Sequence, residues 1–295
     1  MWKRLSSILI ATFLGVTFAQ TTTLRLAEVI SSPERTEFLK SLISDFEAAN
    51  PGINVELITI PWGESFEKTL TMVQAGQAPD VIEMPEKWVG LYGGLGKLAD
   101  LTPYLNDWPS AADFTDLTWT GAKLYADTPY VIPYGFYVRA LYYNKALFRE
   151  AGVTDPPATY AEFVEIAKKI SEIPGKYGYC LRGGSGGYGV TIDFMTSFMG
   201  SDAWFDENGK STFDSPEAIK GFETQVNMYK DGYAPPDSVN WTYGGVTAGF
   251  YSGTCAMFMN DPDAYAILRD NIANPDDVGV APQPLGPYGV SFPKV

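Results

Sequence analysis

Along the first third of the chain, hydrophobic positions alternate between a spacing of two and a spacing of three to four, and each switch falls at a turn signal. Thr23–Val29 reads as a short strand. Ser31 and Ser32 then cap a helix opening at Pro33, with Glu34 three residues after Ser31. Phe38, Leu39, Leu42, Ile43 and Phe46 recur at helical spacing until Asn50-Pro51-Gly52 stops the run. A β-branched strand, Ile53–Ile60, follows. Phe66, Leu70 and Val73 mark a second helix ended by Gly76, Asp80–Met84 is another short strand, and a helix starts at Glu86. The order β-α-β-α-β predicts a mainly parallel sheet with helices on its faces.

The pattern resumes near Arg139. Leu141–Asn144 reads as a strand, and Thr159 with Glu162 forms a capping box for a helix carrying Phe163, Ile166 and Ile170. Tyr177–Leu181 is a strand running into the glycine-rich stretch Gly183–Gly189. Ser215-Pro216 opens a helix with Ile219, Phe222, Val226 and Tyr229, closed by Gly232; Thr254–Met259 is a strand and Pro262–Asn271 a helix. Length suggests two lobes. There is no internal repeat and no low-complexity tract.

The N-terminus changes the picture of where the chain works. Lys3 and Arg4 precede an apolar run from Leu5 to Val16, and Thr17 and Ala19 flank Phe18 just before Gln20. This is the layout of a signal peptide over residues 1–19, with an apolar core too short to span a bilayer. No cysteine sits at the cleavage point, so a lipid anchor is not indicated. Export would place Cys180 and Cys255 in an oxidising compartment, where one disulfide or two buried thiols are the alternatives. A bridge closing that loop would stabilise by roughly 4 kcal/mol.

Charge narrows the partners. The formal net charge is −14, and loss of Lys3 and Arg4 makes it two units more negative. Such a chain is repelled by phosphate backbones and anionic membranes, so nucleic acid and lipid are poor partners. The sequence contains no histidine, which removes Ser-His-Asp and Cys-His catalysis and histidine-based zinc sites. The glycine-rich stretches Tyr92–Lys97 and Arg182–Gly189 match neither GxxxxGK[ST] nor GxGxxG and read as flexible loops, so no cofactor is expected. Paired carboxylates, as glycosidases use, are the enzymatic option left among 35 acidic residues.

Several motifs in sequence order resemble the solute-binding proteins of carbohydrate importers, the maltose-binding-like class. They are FEAANPGINVELITIPW (Phe46–Trp62), AGQAPDVIEM (Ala75–Met84), IPYGFYVRALYYNKALFREAG (Ile132–Gly152), PATYAEFVEIAKKI (Pro157–Ile170) and FYSGTCAMFMNDPDAY (Phe250–Tyr265). The resemblance implies a type II periplasmic-binding-protein fold: α/β, two lobes with mostly parallel sheets flanked by helices. Lobe 1 would span 20–135 with 281–295 returning to it, and lobe 2 would span 139–279. Crossings would fall near Tyr134–Arg139 and Gly279–Pro284. Members of the class continue past the position of Val295, so the chain is expected to be C-terminally truncated and to expose apolar surface.

The same resemblance implies a non-enzymatic, periplasmic or extracellular monomer. It would trap a sugar or oligosaccharide by hinge closure and deliver it to the permease subunits of an ATP-driven importer. Open α/β sheets bind ligands beyond the carboxyl ends of their strands. The candidates there are Trp62, Glu64, Glu86 and Trp88 in the first lobe and Tyr137 and Arg139 at the crossing. In the second lobe they are Arg182, Trp204, Trp241, Tyr243 and Asp261. Tryptophans suit the apolar face of a sugar and carboxylates its hydroxyls. Trp62 packing on its own helix and Arg139 pairing with a carboxylate are the competing structural roles, and Asp80 is read as bracing the sheet. A secreted glycoside hydrolase and a binding protein for a polyamine, amino acid or metal are the alternative functions.

Overall fold

The computed structural model describes residues 21–123 and 125–292; the expected signal peptide lies outside them. By its internal packing the chain divides into two units: the described residues of Met1–Pro103 with Lys123–Tyr130, and those of Tyr104–Ala122 with Val131–Val295.

The first unit is built on three parallel strands, β1 (Thr22–Glu28), β2 (Ile53–Thr59) and β3 (Val81–Ile82), in the order β2-β1-β3. Its helices are α1 (Pro33–Ala49), α2 (Trp62–Gln74) and α3 (Glu86–Gly94). Ser32, one residue later than the Ser31 box, is the N-cap of α1: its side chain accepts from Arg35 N, and Pro33 fits the first turn because it needs no donor there. A small core of Val73, Trp88 and Tyr92 lies between α2 and α3, closed by a hydrogen bond between Thr69 Oγ1 and Tyr92 OH at 2.8 Å. No residue of α1 is buried, and its Phe38, Leu42 and Phe46 are exposed.

The second unit begins with α4 (Thr102–Leu105), which straddles the boundary between the units, and α5 (Asp116–Ala122). Its sheet comprises β4 (Ala140–Asn144), β5 (Tyr177–Tyr179), β6 (Cys255–Asn260) and β7 (Val278–Ala281), in the order β5-β6-β4-β7. Only β5 and β6 are parallel; β4 runs antiparallel to both neighbours. Around the sheet pack α6 (Lys145–Glu150), α7 (Tyr160–Ser171), α8 (Tyr188–Met199), α9 (Pro216–Lys230), α10 (Tyr243–Tyr251) and α11 (Ala264–Asn271). The capping box at α7 forms as its spacing predicts, Thr159 and Glu162 each accepting from the other's backbone. One core layer joins Phe163, Tyr179 and Phe194, and a second joins Cys180, Phe250, Cys255 and Phe258. Cys180 and Cys255 are bonded as a disulfide.

Two readings of the sequence are corrected here. Residues 281–290 do not return to the first unit: β7 completes the second sheet, and Leu285 pairs with Ala158 and Tyr160 at the start of α7. The stretch Gly183–Gly189 is packed rather than loose. A Cβ on Gly183 would lie 2.4 Å from Val239 Cα, and one on Gly187 would lie 1.7 Å from the Arg182 carbonyl, so glycine is there because backbone meets backbone.

Candidate functional site

The second sheet gathers polar residues at one edge by topology alone. Arg139 precedes β4, which is antiparallel to its neighbours, whereas Arg182 follows β5, Asn260 ends β6 and is followed by Asp261, and Gln283 follows β7. All of these positions therefore fall on the same edge. Asp193 comes from α8 and Tyr243 from the first residue of α10.

Half of this edge is fully used up. Arg139 Nη1 donates to Asp193 Oδ2 at 2.6 Å and its Nε to Asp261 Oδ1 at 3.2 Å. Gln283 Nε2 donates to the same Asp193 oxygen at 3.0 Å, and Tyr142 OH to the Asp261 carbonyl at 3.2 Å. The Asp193 side chain is 0% exposed, so its charge is tolerable only with these partners. Burial works to lower the Arg139 pKa, but the charges of Asp193 and Asp261 outweigh it and hold the guanidinium ionised.

The other half is unfinished. Arg182 Nε donates to the Ser185 carbonyl at 2.9 Å, and its guanidinium lies 5.6 Å from the Tyr243 ring centroid. Among the described residues no carboxylate lies within ion-pair distance of Arg182. Buried and without hydrogen-bond partners are Arg182 Nη2, Tyr243 OH, Asn260 Nδ2 and Gln283 Oε1. Each such group costs about 1–3 kcal/mol when nothing replaces its water. Burial lowers the Arg182 pKa, partly offset by Asp261. Burial and the nearby Asp263 push the Tyr243 phenol upward, so it stays neutral and keeps its proton. The Tyr243 hydroxyl approaches Asp263 without making a hydrogen bond of normal geometry. Loss of hydration there, with the charge of Asp261, raises the Asp263 carboxyl pKa.

The remaining predicted residues of this unit lie in varied settings. Tyr137 is half-buried, and Trp204 packs tilted against Phe213 with centroids 5.7 Å apart. Trp241 donates to Asp237, and its ring covers Gly245 and Gly249 of α10.

In the first unit, Trp62 and Trp88 stack at 6.2 Å with planes 10° apart, and Lys87 Nζ lies 5.7 Å over Trp62. Trp88 belongs to the core, Glu64 pairs with Lys68 one helical turn on, and Glu86 is exposed. Asp80 accepts from Arg25 N at 2.8 Å and so braces β1. Sequence reasoning missed Glu28 and Glu83 at the carboxyl edge of this sheet. Glu28 is 0% exposed and accepts from Thr36 and Thr59. Glu83 accepts from the amides of Val29 and Ile30 and pairs with Arg35. Carboxylates inside a parallel-strand edge were the available signal, hidden because each sits in an otherwise apolar strand run.

Among the described residues no grouping of carboxylates and cysteines suits a metal ion, and no helix is long and apolar enough to cross a membrane.

An α/β architecture with a polar, partly unpartnered sheet edge and no metal-type cluster describes a class of ligand receptor. Consistent with that class, the profile of the bacterial extracellular solute-binding protein family matches residues 32–294, and the chain belongs to this family. It is similar to the maltose-bound MalE3 structure of T. maritima: TM-score 0.79, 28% identity, covering 92% of this chain and 69% of that one. It is also 26% identical over 262 residues to the erythritol/L-threitol-binding protein of Mycolicibacterium smegmatis, covering 81% of this chain and 54% of the relative. Against the mannitol-binding protein of Pseudomonas aeruginosa it is 25% identical over 264 residues, covering 86% and 59%. The chain thus spans little more than half the length of these curated relatives. Their names are those of binding proteins rather than enzymes, and the fold is that of the type II periplasmic class.

Proposed function

We propose that this chain captures an uncharged polyhydroxyl solute, a sugar or a polyol, outside the cytoplasm. It delivers the solute intact to the permease subunits of an ATP-driven importer, acting as a monomer, with hinge closure as the capture step. The observation that carries the reading is that, of six buried side-chain polar atoms without a hydrogen-bond partner among the described residues, four belong to Arg182, Tyr243, Asn260 and Gln283, the others being Tyr160 Oη and Ser197 Oγ. Three of those four are donors or donor-acceptors and one is an acceptor, which suits hydroxyl groups that both give and take hydrogen bonds. Charge supports the uncharged class, because Arg139 pairs with Asp193 and Asp261 while Asp261 and Asp263 act on Arg182 from beyond ion-pair distance, so that the acidic charges offset the two cations. The similarity to proteins named for erythritol, mannitol and maltose supports the same reading.

The ligand contacts proposed in this unit are Arg182, Tyr243, Asn260 and Gln283. Asp261 and Arg139 orient them. A glycosidase would need two disengaged carboxylates, whereas Asp261 is held by Arg139.

Titration calorimetry with maltose, D-mannitol and erythritol, followed by chromatography of the recovered solute, tests the proposal. Saturable binding of at least one, recovered unchanged, is expected. Turnover of the solute, or no binding of any polyol or saccharide, overturns it.

A further inference from the structure

We infer that the Cys180–Cys255 disulfide is a positioning element for the Arg182–Tyr243 patch, so that ligand affinity depends on its oxidation state. The inference rests on the ligand reading above. Cys180 stands two residues before Arg182 at the end of β5, and its amide donates to the Met257 carbonyl at 2.8 Å. Cys255 opens β6, the strand that ends at Asn260 and is followed by Asp261. The bond therefore ties the two strands whose ends carry Arg182 and Asn260, two of the patch's four polar groups.

The disulfide also touches the element that carries a third group, Tyr243. A Cβ on Gly249 in α10 would lie 3.0 Å from Cys255 Sγ and 2.4 Å from Trp241 Cζ3. The sulfur, the indole and the α10 backbone are thus in mutual contact, in the core layer formed with Val246, Phe250 and Phe258. Tyr243 is the first residue of that helix. The Arg182 loop closes onto the same region, with Gly183 N donating to the Ser238 carbonyl and Gly184 N to the Trp241 carbonyl. Breaking the bond removes a covalent tie exactly where β5, β6 and α10 meet. The larger core of α7, α8 and α9 packs in the other layer, apart from the sulfurs.

A dithiol performs the reduction. It supplies two electrons and two protons, the Sγ–Sγ bond breaks, both cysteines become thiols, and the dithiol closes into its own disulfide. The protein would then hold its ligand tightly only where thiols are oxidised.

The test compares the oxidised 295-residue chain, the same chain reduced by dithiothreitol, and the variant C180A/C255A, well below the melting temperature. D-Mannitol and maltose serve as probes, and amide hydrogen exchange is measured without ligand. The expected result is at least tenfold weaker binding in both forms that lack the bridge, restored on reoxidation of the wild type. Exchange should be faster in 181–187 and 239–247 and unchanged in Phe163–Ser171 and Gly221–Lys230. Equal affinity with equal exchange overturns the inference, as does faster exchange spread evenly over the unit, which marks a general staple. If the oxidised chain binds neither probe, the receptor reading fails for these solutes, and the exchange pattern alone still decides the positioning role.

Discussion

The carboxyl edges of the two sheets place charged groups alike and finish them differently. In the first unit, Glu28 and Glu83 are surrounded by donors from Thr36, Thr59, two backbone amides and Arg35. In the second, the Arg139–Asp193–Asp261 group is equally complete, but a few residues away Arg182, Tyr243, Asn260 and Gln283 keep buried polar atoms without partners. A satisfied network holds a fold together. A buried group with nothing to bond costs stability until a ligand, an ion or a water completes it. Type of residue therefore does not separate the two roles; both arginines lie at the same sheet edge, and only their partners tell them apart.

The largest expected effect comes from breaking the complete side. Arg139→Met takes the cation away from the buried Asp193 carboxylate, costing about 3–5 kcal/mol. That lowers the melting temperature by on the order of 10 °C in calorimetry. A melt within a degree or two of wild type would mean that the network does not brace the unit.

Arg182→Met is expected to do the opposite. It removes a buried cation that lacks a carboxylate, so the melting temperature should hold or rise, while solute affinity falls about tenfold to a hundredfold for a lost charge-assisted hydrogen bond. Titration of both variants side by side sharpens the contrast, and a stability loss at Arg182 as large as that at Arg139 would erase it. Tyr243→Phe deletes one hydroxyl and should weaken binding about fivefold, the equivalent of about 1 kcal/mol.

The smallest effect concerns pH. Asp263 has its carboxyl pKa raised above 3.8, so its ionisation opposes folding, and its contribution is lost as pH rises through the folded value. Asp263→Asn should raise the melting temperature slightly at pH 7 and not at all at pH 3, where the native carboxyl is already protonated in both states. A gain at pH 3 equal to that at pH 7 would point to packing instead of charge.

Much of the scaffold was legible in the sequence because its signals are local. The Thr159–Glu162 box, the prolines at Pro33 and Pro216 and the helix spacing of Phe38–Phe46 each work within a few residues, and they mark the elements the structure contains. Helix α8 escaped notice because its sequence, YGVTIDFMTSFM, is apolar nearly all round and follows glycines, so no polar face sets its period. Short strands such as β3 extend for two residues where alternation suggested five.

Sequence reasoning named Arg139, Arg182 and Asp261, which the structure gathers at one edge of the second sheet, and could not assign roles among them. Arg139 and Asp193 are 54 residues apart, and no spacing announces that they pair. Asn260 and Gln283 read as ordinary polar residues until their burial is known. Trp88 and Trp241 suggested stacking platforms, whereas Trp88 fills the core and Trp241 covers the glycines of α10.

The most direct test of the account is to watch the two guanidinium groups during a titration with a bound solute by side-chain nitrogen NMR. The account predicts that the Arg182 signals shift saturably with the binding isotherm while those of Arg139 stay in place. Binding that leaves Arg182 unmoved would contradict it.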